Sequence, residues 1–410
     1  MTVTIDDIRA ARRLIAGQVI RTPSVEASRL AELVGASQIV LKLENQQYTG
    51  SFKDRGALVK LLSLTEAERR RGVTAMSAGN HAQGVAYHAR RLGIPATIVM
   101  PEATPFTKVE RTRSLGARVV LHGDGFDTAG AFAREMAERE GYVFVHPYDD
   151  ERIVAGQGTI GLEMLEDHPD LDCILVPIGG GGLIAGIASA VKAVKPGIEM
   201  LGVEAELYPS MHHAVRNLPP TPGGITVADG IAVKQPGSVT RPIVEALVSD
   251  ILLVPEEALE HAVMLLVEVQ KIVGEGAGAA GLAAMLAHRE RFSGRRVGTV
   301  ICGGNIDSRL LASILMRGLV RDGRMVRLRI EITDQPGVLS KLADVIGKAG
   351  GNIIEIYHQR LFQDIPVRKA DIDAVVETRN ADHVREIVEA LTATGFPTRL
   401  LGTSSLDGGS

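Results

Sequence analysis

Short apolar runs alternate with segments of helical periodicity along most of the chain. The apolar runs have the length and bounding turns of buried strands, and apolar residues recur at helical spacing in the segments between them. The predicted strands are residues 73–76, 96–100, 117–121, 142–145, 173–178 and 199–204, and the predicted helices are residues 82–92, 106–115, 129–139, 158–165 and 183–194. Because strands that alternate with helices form parallel sheets with helices on their faces, the pattern predicts an α/β fold.

The two ends of the chain add further elements. A helix is predicted at residues 4–16, with Thr4 as its N-cap and Gly17 as its stop, and a strand at residues 38–43. Helices at 255–273 and 279–289 and a strand at 297–302 complete a second sheet. The C-terminal elements are strand 326–332, helix 338–349, strand 353–360, strand 371–378, helix 381–392 and strand 397–401. This order, βαββαβ, is typical of a ferredoxin-like unit.

The 410 residues exceed what one hydrophobic core usually serves, so more than one domain is expected. A polar segment at residues 319–325 is the predicted linker. We therefore predict a first domain at residues 1–320, with its small lobe at about 45–147, and a second domain at residues 321–403. The small, polar residues 404–410 are predicted to be a disordered tail.

Composition narrows the class of protein. A net charge of −4 gives no general attraction to nucleic acid or to an acidic membrane. Two cysteines are too few for a disulfide framework, and Asp6 and Asp7 do not fit a signal peptide. The longest weakly apolar run, residues 276–287, is short of a membrane span. We expect a cytoplasmic protein without nucleic-acid or membrane partners.

Three motifs follow predicted strands and together suggest one chemistry. Lys53 lies between Ser51 and Ala57, where its amine is a candidate nucleophile. Residues 77–84 place a turn before a helix, where free backbone N–H groups can hold a carboxylate. Residues 179–182 are four glycines that let the backbone approach a phosphate. An amine, a carboxylate site and a phosphate cradle together indicate a pyridoxal phosphate enzyme acting on an amino acid.

These motifs and Cys302-Gly303-Gly304-Asn305, in order over residues 4–318, resemble the threonine/serine dehydratases, the fold type II pyridoxal phosphate family. The resemblance implies a two-lobed catalytic domain with tryptophan synthase β-like parallel sheets. It assigns Lys53 as the residue that binds the cofactor covalently and removes the α-proton. The other implied cofactor contacts are Phe52, Asn80 at the ring oxygen, Gly179, Gly180, Gly181, Gly182 and Leu183 at the phosphate, and Cys302 at the ring nitrogen. The implied substrate contacts are Ser77, Ala78, Gly79, Asn80 and His81.

Several of these residues also have ordinary structural interpretations. Phe52 and Cys302 would look the same as buried core residues, and a structural role is favoured for His81. Asp54 and Arg55 are interpreted as a local ion pair. Ala78 stands where related racemases carry a serine, which disfavours racemisation. Glu204 matches a metal-binding carboxylate of some relatives, but Ser210 stands in place of the second carboxylate. The sequence therefore does not decide whether a metal ion binds here.

The C-terminal unit resembles the ACT domain, a regulatory module that binds small amino acids. The residues that carry this resemblance are Asp334, Pro336, Gly337, Leu339, Asn352 and Ile353. Pro336-Gly337 also suits an ordinary strand-to-helix turn, and Asn352 is expected to place a side-chain amide close to it. Because ACT-like modules pair edge to edge, the resemblance implies a homodimer or homotetramer with an amino-acid effector.

The resemblance implies a dehydratase, or ammonia-lyase, that converts L-threonine to 2-oxobutanoate and ammonia, and L-serine to pyruvate. Isoleucine biosynthesis, with isoleucine or valine as effector, is the first expectation, and a catabolic role is the alternative. A racemase or β-replacement synthase on the same fold is a rival enzyme. A catalytically silent amino-acid sensor is the rival from another class.

Overall fold

A computed structural model of the protein describes residues 3–359 and 369–401. Two compact units are present, Met1–Ile306 and Asp307–Ser410. The predicted tail at residues 404–410 lies outside the described residues. Among the described residues, no helix combines the length and the hydrophobicity that a membrane crossing requires.

The first unit contains two sheets, which confirms the predicted α/β class. Its strands are β1 Ser24–Glu26, β2 Gln38–Lys42, β3 Val73–Met76, β4 Ala96–Met100, β5 Arg118–Leu121, β6 Val143–Phe144, β7 Cys173–Pro177, β8 Glu199–Ala205, β9 Asp250–Val254 and β10 Arg296–Val300. One sheet has the order β5-β4-β3-β6 and is parallel throughout. The other has the order β1-β2-β10-β7-β8-β9, in which only the β1–β2 pair is antiparallel.

Helices surround both sheets of this unit. They are α1 Ile5–Ile15, α2 Ser28–Val34, α3 Lys53–Leu62, α4 Glu66–Arg71, α5 Asn80–Arg91, α6 Phe106–Ser114, α7 Phe126–Glu140, α8 Glu151–Asp167, α9 Gly182–Val194, α10 Ser210–Val215, α11 Thr240–Leu247, α12 Glu256–Glu268, α13 Gly276–Ala287 and α14 Arg289–Phe292. The predicted start of α1 is confirmed, because Thr4 and Asp7 form a capping box there. Strands β1 and β9 and helices α3, α4, α10, α11 and α14 were not predicted.

Helix α8 shows why pattern alone misjudged one element. It begins at Glu151, seven residues before the predicted start, and the Asp150 carboxylate caps it by accepting from the N–H groups of Arg152 and Ile153. Glycines in its first turns weaken the helical signal, but they are required by packing. A Cβ at Gly156 would lie 2.7 Å from the Cα of Gly56 in α3. Close helix packing therefore overrides the low helix propensity of glycine.

The second unit has the predicted βαββαβ order after one helix. Its elements are α15 Ser308–Arg321, β11 Met325–Thr333, α16 Val338–Lys348, β12 Asn352–Gln359, β13 Lys369–Glu377, α17 Ala381–Ala393 and β14 Thr398–Leu400. The sheet is antiparallel, with the order β12-β13-β11-β14. Alternate residues of β11, Val326, Leu328 and Ile330, are buried in the core of this unit. The period-two pattern fixes that face toward the helices.

Candidate active site

The predicted site motifs of the first unit follow the carboxyl ends of parallel strands. Ser77 directly follows β3, the glycine run begins two residues after β7, and Cys302 comes two residues after β10. Ligands of open α/β sheets bind outside these strand ends. The topology therefore brings together motifs that are far apart in the sequence.

Lys53 is the first residue of α3 and is half-buried. Its Nζ donates a hydrogen bond to the Pro147 carbonyl oxygen at 2.7 Å and lies 4.9 Å from the centroid of the Phe52 ring. Burial lowers the pKa of Lys53 to about 8, while Cys302 and Glu275 act in the opposite direction. A lysine amine in this environment reaches its neutral, nucleophilic form close to physiological pH.

Cys302 is packed directly against the lysine segment. Its carbonyl oxygen accepts from the Phe52 N–H at 3.0 Å, and Ser51 and Gly303 form an antiparallel bridge. The Cys302 thiol is buried, and burial raises its pKa, so it stays neutral. A neutral thiol at this position offers only a weak hydrogen bond to a ligand.

Asn80 begins α5 and links the two lobes of the first unit. Its Nδ2 donates to Oε1 of Glu275 at 2.7 Å, and its Oδ1 accepts from Nδ2 of Asn305 at 2.7 Å. Glu275 precedes α13 and is buried. Neither Glu275 nor Asn305 was assigned to the site from sequence. Two features of the sequence could have indicated them. Glu275 is an acidic residue directly before a glycine- and alanine-rich helix, and Asn305 is the last residue of the Cys302 motif.

The turn at residues 77–81 connects β3 to α5. Ser77 Oγ accepts from the Gly79 N–H at 3.2 Å, and no neighbour lies within 4 Å of where a Gly79 Cβ would be. The backbone therefore faces open space at the N-terminus of a helix. His81 is buried and bonds to the Val145 carbonyl oxygen at 2.9 Å through Nε2, and burial lowers its pKa to about 3. His81 is therefore neutral, which agrees with the predicted structural role.

The glycine run lies under Tyr148. A Cβ at Gly180 would be 2.3 Å from the Tyr148 ring, so that position accepts no side chain. Gly181 adopts a left-handed φ of 94° at the start of α9, and among the described residues no side chain caps that helix. Thr240 Oγ1 donates to the Gly180 carbonyl oxygen at 2.6 Å and fixes the loop. The first N–H groups of α9 thus remain available for an anion.

One short segment joins the lysine to the glycine run. The Pro147 carbonyl oxygen accepts a hydrogen bond from the Lys53 amine, and the neighbouring Tyr148 ring packs on Gly180. The Asp149 carboxylate then holds residues 238 and 239, with the Val239 N–H donating at 2.7 Å. The structure therefore places the lysine, the glycine run, Asn80 and Cys302 around one region between the lobes.

The sequence-based interpretation of Asp54 and Arg55 as a mutual ion pair is wrong. Arg55 is buried and binds the carboxylates of Glu44 at 2.8 Å and Glu163 at 2.7 Å. Asp54 instead accepts hydrogen bonds from Thr49. Both charged side chains therefore stabilise the structure around the lysine segment through partners other than each other.

Comparison with known proteins agrees with this geometry. The profile of the family described as pyridoxal-phosphate dependent enzyme matches residues 15–303. The chain belongs to this family. The ACT domain profile matches residues 326–395, so the family's catalytic region is followed here by an ACT domain.

Several relatives and solved structures of the family are similar to this chain. L-threonine ammonia-lyase of Thermotoga maritima is 44% identical over 402 residues, covering 98% of this chain and 100% of that protein. The protein of the same name from Geobacter sulfurreducens is 45% identical over 382 residues, covering 92% of this chain and 94% of its own. The processed form of threonine deaminase isoform 2 from Solanum lycopersicum has a TM-score of 0.72 at 33% identity, covering 76% of this chain and 86% of that chain. Maize serine racemase has a TM-score of 0.72 at 33% identity, covering 78% of this chain and 99% of that chain.

The residues present fit the cofactor of the family. The uncapped N-terminus of α9 suits a phosphate, and the Lys53 amine, whose pKa burial lowers to about 8, suits an aldehyde. Ser51 Oγ is buried and has no hydrogen-bond partner among the described residues, so this wall of the site keeps an unused polar group. Pyridoxal phosphate is therefore the cofactor of this chain.

Glu204, the candidate metal ligand, caps a helix. Its carboxylate accepts from the N–H groups of Met211 and His212, both at 2.8 Å, at the start of α10. Within residues 3–359 and 369–401, no group of three His, Cys, Asp or Glu side chains is arranged to hold a metal ion.

The candidate effector residues fall into two separate places in the ACT domain. Asp334, Pro336 and Gly337 form the exposed turn after β11, and Gly337 has a φ of 85°. Asn352 starts β12, pairs with Glu377, and donates to it at 2.9 Å. Glu377 is also the partner of Met325, at the opposite end of β11. The expectation that Asn352 lies close to the turn is therefore wrong within one chain, since the length of β11, roughly 25 Å, separates them.

Proposed function

We propose that this chain is a pyridoxal-phosphate dependent threonine ammonia-lyase. Its reaction converts L-threonine to 2-oxobutanoate and ammonia, with L-serine converted to pyruvate as a secondary activity. The observation that carries this is an intact site, with Lys53, Asn80 and the glycine run brought together, in a chain 44% identical to a threonine ammonia-lyase over nearly its whole length.

We assign the cofactor contacts as the motifs predict. Lys53 would attach the cofactor, Asn80 would bind the ring oxygen, Cys302 would face the ring nitrogen and Phe52 would pack beside it. The N–H groups of Gly179 to Leu183 at the start of α9 would hold the phosphate. When bound, the cofactor stabilises negative charge at the α-carbon of the substrate.

Lys53 is the base in this proposal. Because burial brings its pKa to about 8, a useful fraction of the amine is neutral near neutral pH and can accept the α-proton. The neutral Cys302 thiol leaves the ring nitrogen without a charged partner, which favours elimination over transamination. The substrate carboxylate is placed on the N–H groups of the turn from Ser77 to His81, where the space beside Gly79 is open.

Three rivals are less well supported. A racemase needs a proton carrier on the face opposite the lysine, and Ala78 has none; a β-replacement synthase has no observation in its favour. A silent sensor would not need the hydrogen bonds that hold Asn80 between Glu275 and Asn305. Product analysis separates the enzymes, and absence of any turnover would favour the sensor.

We further propose that the chain acts as a cytoplasmic homodimer or homotetramer regulated through its ACT domain. The catalytic domain is assigned to residues 1–320 and the regulatory domain to residues 321–403. Edge strand β12 carries the exposed Ile354 and Tyr357, which suits pairing with a second copy. A two-fold axis perpendicular to the sheet would reverse the strand direction and place Asn352 of one protomer at the same end of the joined sheet as the Pro336-Gly337 turn of its partner. An amino acid bound between them would couple the subunits.

The test of the proposed function is to measure 2-oxobutanoate from threonine and pyruvate from serine with the purified holoenzyme. We expect both keto acids, with higher kcat/KM for threonine. Lys53→Ala serves as the control and should lower turnover by several orders of magnitude in a folded protein. Near-normal turnover by that variant, or formation of D-amino acids in place of keto acids, would contradict the proposal.

A further inference from the structure

Glu275 is a buried carboxylate outside every motif that sequence identified. Its backbone N–H donates to the Gly303 carbonyl oxygen at 3.0 Å, which fixes it beside the Cys302 segment. Its side chain accepts from Asn80 and is 2.7 Å from that amide nitrogen. A carboxylate removed from water needs such a partner, so the contact is part of the architecture of the site.

Three polar side chains form a chain of hydrogen bonds with one direction. Asn305 Nδ2 donates to the Thr49 carbonyl oxygen and to Asn80 Oδ1, both at 2.7 Å, and Asn80 Nδ2 donates to Glu275. A backbone carbonyl can only accept, so the nitrogen of the Asn305 amide must face Thr49. Because Asn305 presents its nitrogen as the donor, the Asn80 oxygen must face Asn305, and the Asn80 nitrogen then faces Glu275.

Two glycines leave room for this chain. A Cβ at Gly303 would lie 2.3 Å from Glu275 Oε1 and 3.0 Å from Asn80 Nδ2. A Cβ at Gly50 would lie 2.8 Å from Asn305 Oδ1, and Gly50 also has a φ of 75°. Side chains at either position would force the amides apart. The close backbone approach is therefore a condition for the observed geometry.

We propose that Glu275 and Asn305 are positioning residues that hold the Asn80 amide as a hydrogen-bond donor toward the ring oxygen of the cofactor. An amide nitrogen carries two hydrogens, and Glu275 uses one of those on Asn80. The second remains for the ligand. This inference rests on the role given to Asn80 in the proposed function.

The orientation of the Asn80 amide depends on whether Glu275 is ionised. Burial and, to a smaller extent, the Asp229 charge raise the pKa of Glu275, while Asn80, Lys108 and the Asn305 N–H lower it, and the net result is a pKa of about 7. Lys53 and the Cys302 thiol also interact with it electrostatically. An ionised Glu275 only accepts, so it orients Asn80; a protonated Glu275 can donate and compete for the amide oxygen. The donor function of Asn80 should therefore be lost as pH falls below about 7.

The experiment follows the absorbance spectrum of the bound cofactor in the holoenzyme as pH is varied. The variants are Glu275→Gln and, as a matched control, Glu204→Gln. Glu204 is also buried with a pKa raised to about 7, but it caps α10. We expect a spectral transition near pH 7 in the parent and in Glu204→Gln. Glu275→Gln should lack it, because a glutamine amide accepts from Asn80 without titrating.

A second variant approaches the amide from its other side. Asn305→Ala frees the Asn80 oxygen, and we expect cofactor release from the holoenzyme to quicken by roughly ten-fold, the effect of one hydrogen bond. The release rate of Asn305→Ala tests the positioning role even if Glu275→Gln does not fold. An unchanged release rate in Asn305→Ala, or the same spectral transition in Glu275→Gln as in the parent, would overturn the inference.

Keto-acid formation from threonine, measured on the same samples, separates this inference from the proposed function. Active parent enzyme whose transition survives in Glu275→Gln contradicts the positioning role alone. The expected spectra in a parent that forms no keto acid would contradict the proposed function and support the positioning role.

Discussion

Replacing Gly180 by alanine tests the phosphate cradle directly. The new Cβ would lie 2.3 Å from the Tyr148 ring, and ordinary contacts begin near 3.4 Å, so the ring or the loop must move by about 1 Å. A shift of this size breaks the bond from the Tyr148 hydroxyl to the Gln235 carbonyl oxygen, which is already 3.1 Å long. It also displaces the N–H groups at the start of α9.

The expected loss follows from the number of phosphate contacts affected. Hydrogen bonds to a charged group contribute about 1.5–3 kcal/mol each, so losing two weakens cofactor binding by roughly 10²- to 10⁴-fold. The assay is an absorbance titration of the apoenzyme with pyridoxal phosphate. Gly197→Ala is the matched control, because no atom lies within 4 Å of where its Cβ would be.

A double variant identifies the cause. Removing the ring in Gly180→Ala/Tyr148→Ala makes room for the new methyl group and should recover part of the lost affinity. The reasoning would be refuted if Gly180→Ala bound the cofactor as tightly as Gly197→Ala. It would also fail if the double variant bound no better than the single one.

Four further predictions address other parts of the chain. Cys302→Ser should keep dehydratase activity, whereas Cys302→Asp should lower kcat by protonating the ring nitrogen; equal kcat in both variants would show that Cys302 does not face it. The rate of cofactor capture by the apoenzyme should rise with pH, reach half of its plateau near pH 8 and level off above about pH 9, because only the neutral Lys53 amine reacts. Stopped-flow absorbance from about pH 6 to about 10 measures this rate, and a rise that continues to the highest pH would contradict the prediction. Arg55→Met should lower the free energy of unfolding by about 3–5 kcal/mol in urea titrations, since it leaves two buried carboxylates short of a partner; a loss below ~1 kcal/mol would contradict this. Ending the chain at residue 322 should abolish any response of the threonine kinetics to isoleucine or valine, and identical curves for truncated and full-length enzyme under every ligand would refute regulation by the ACT domain.

The sequence determined the fold class, and it also predicted where the chemistry takes place. Apolar runs and helical spacing are local signals, so the strands from β3 to β8 and the ferredoxin-like order were predictable from neighbouring residues alone. Lys53, Asn80 and the glycine run were identifiable because each motif combines a reactive or permissive residue with a strand-to-helix turn. These features depend on residues adjacent in sequence, which is why pattern and resemblance located them.

Contacts between distant residues decided the rest. The asparagine amide is oriented by Glu275, 195 positions away in the chain, and no local pattern encodes that pairing. Arg55 meets Glu163 across 108 positions, although Asp54 stands beside it in sequence. Strand register separates Asn352 from the turn at Pro336, and helix packing makes a helix of the glycine-containing start of α8. Burial also shifts the pKa values of Lys53 and Glu275 toward neutrality, because the cost of removing an ionised group from water depends on everything packed around it.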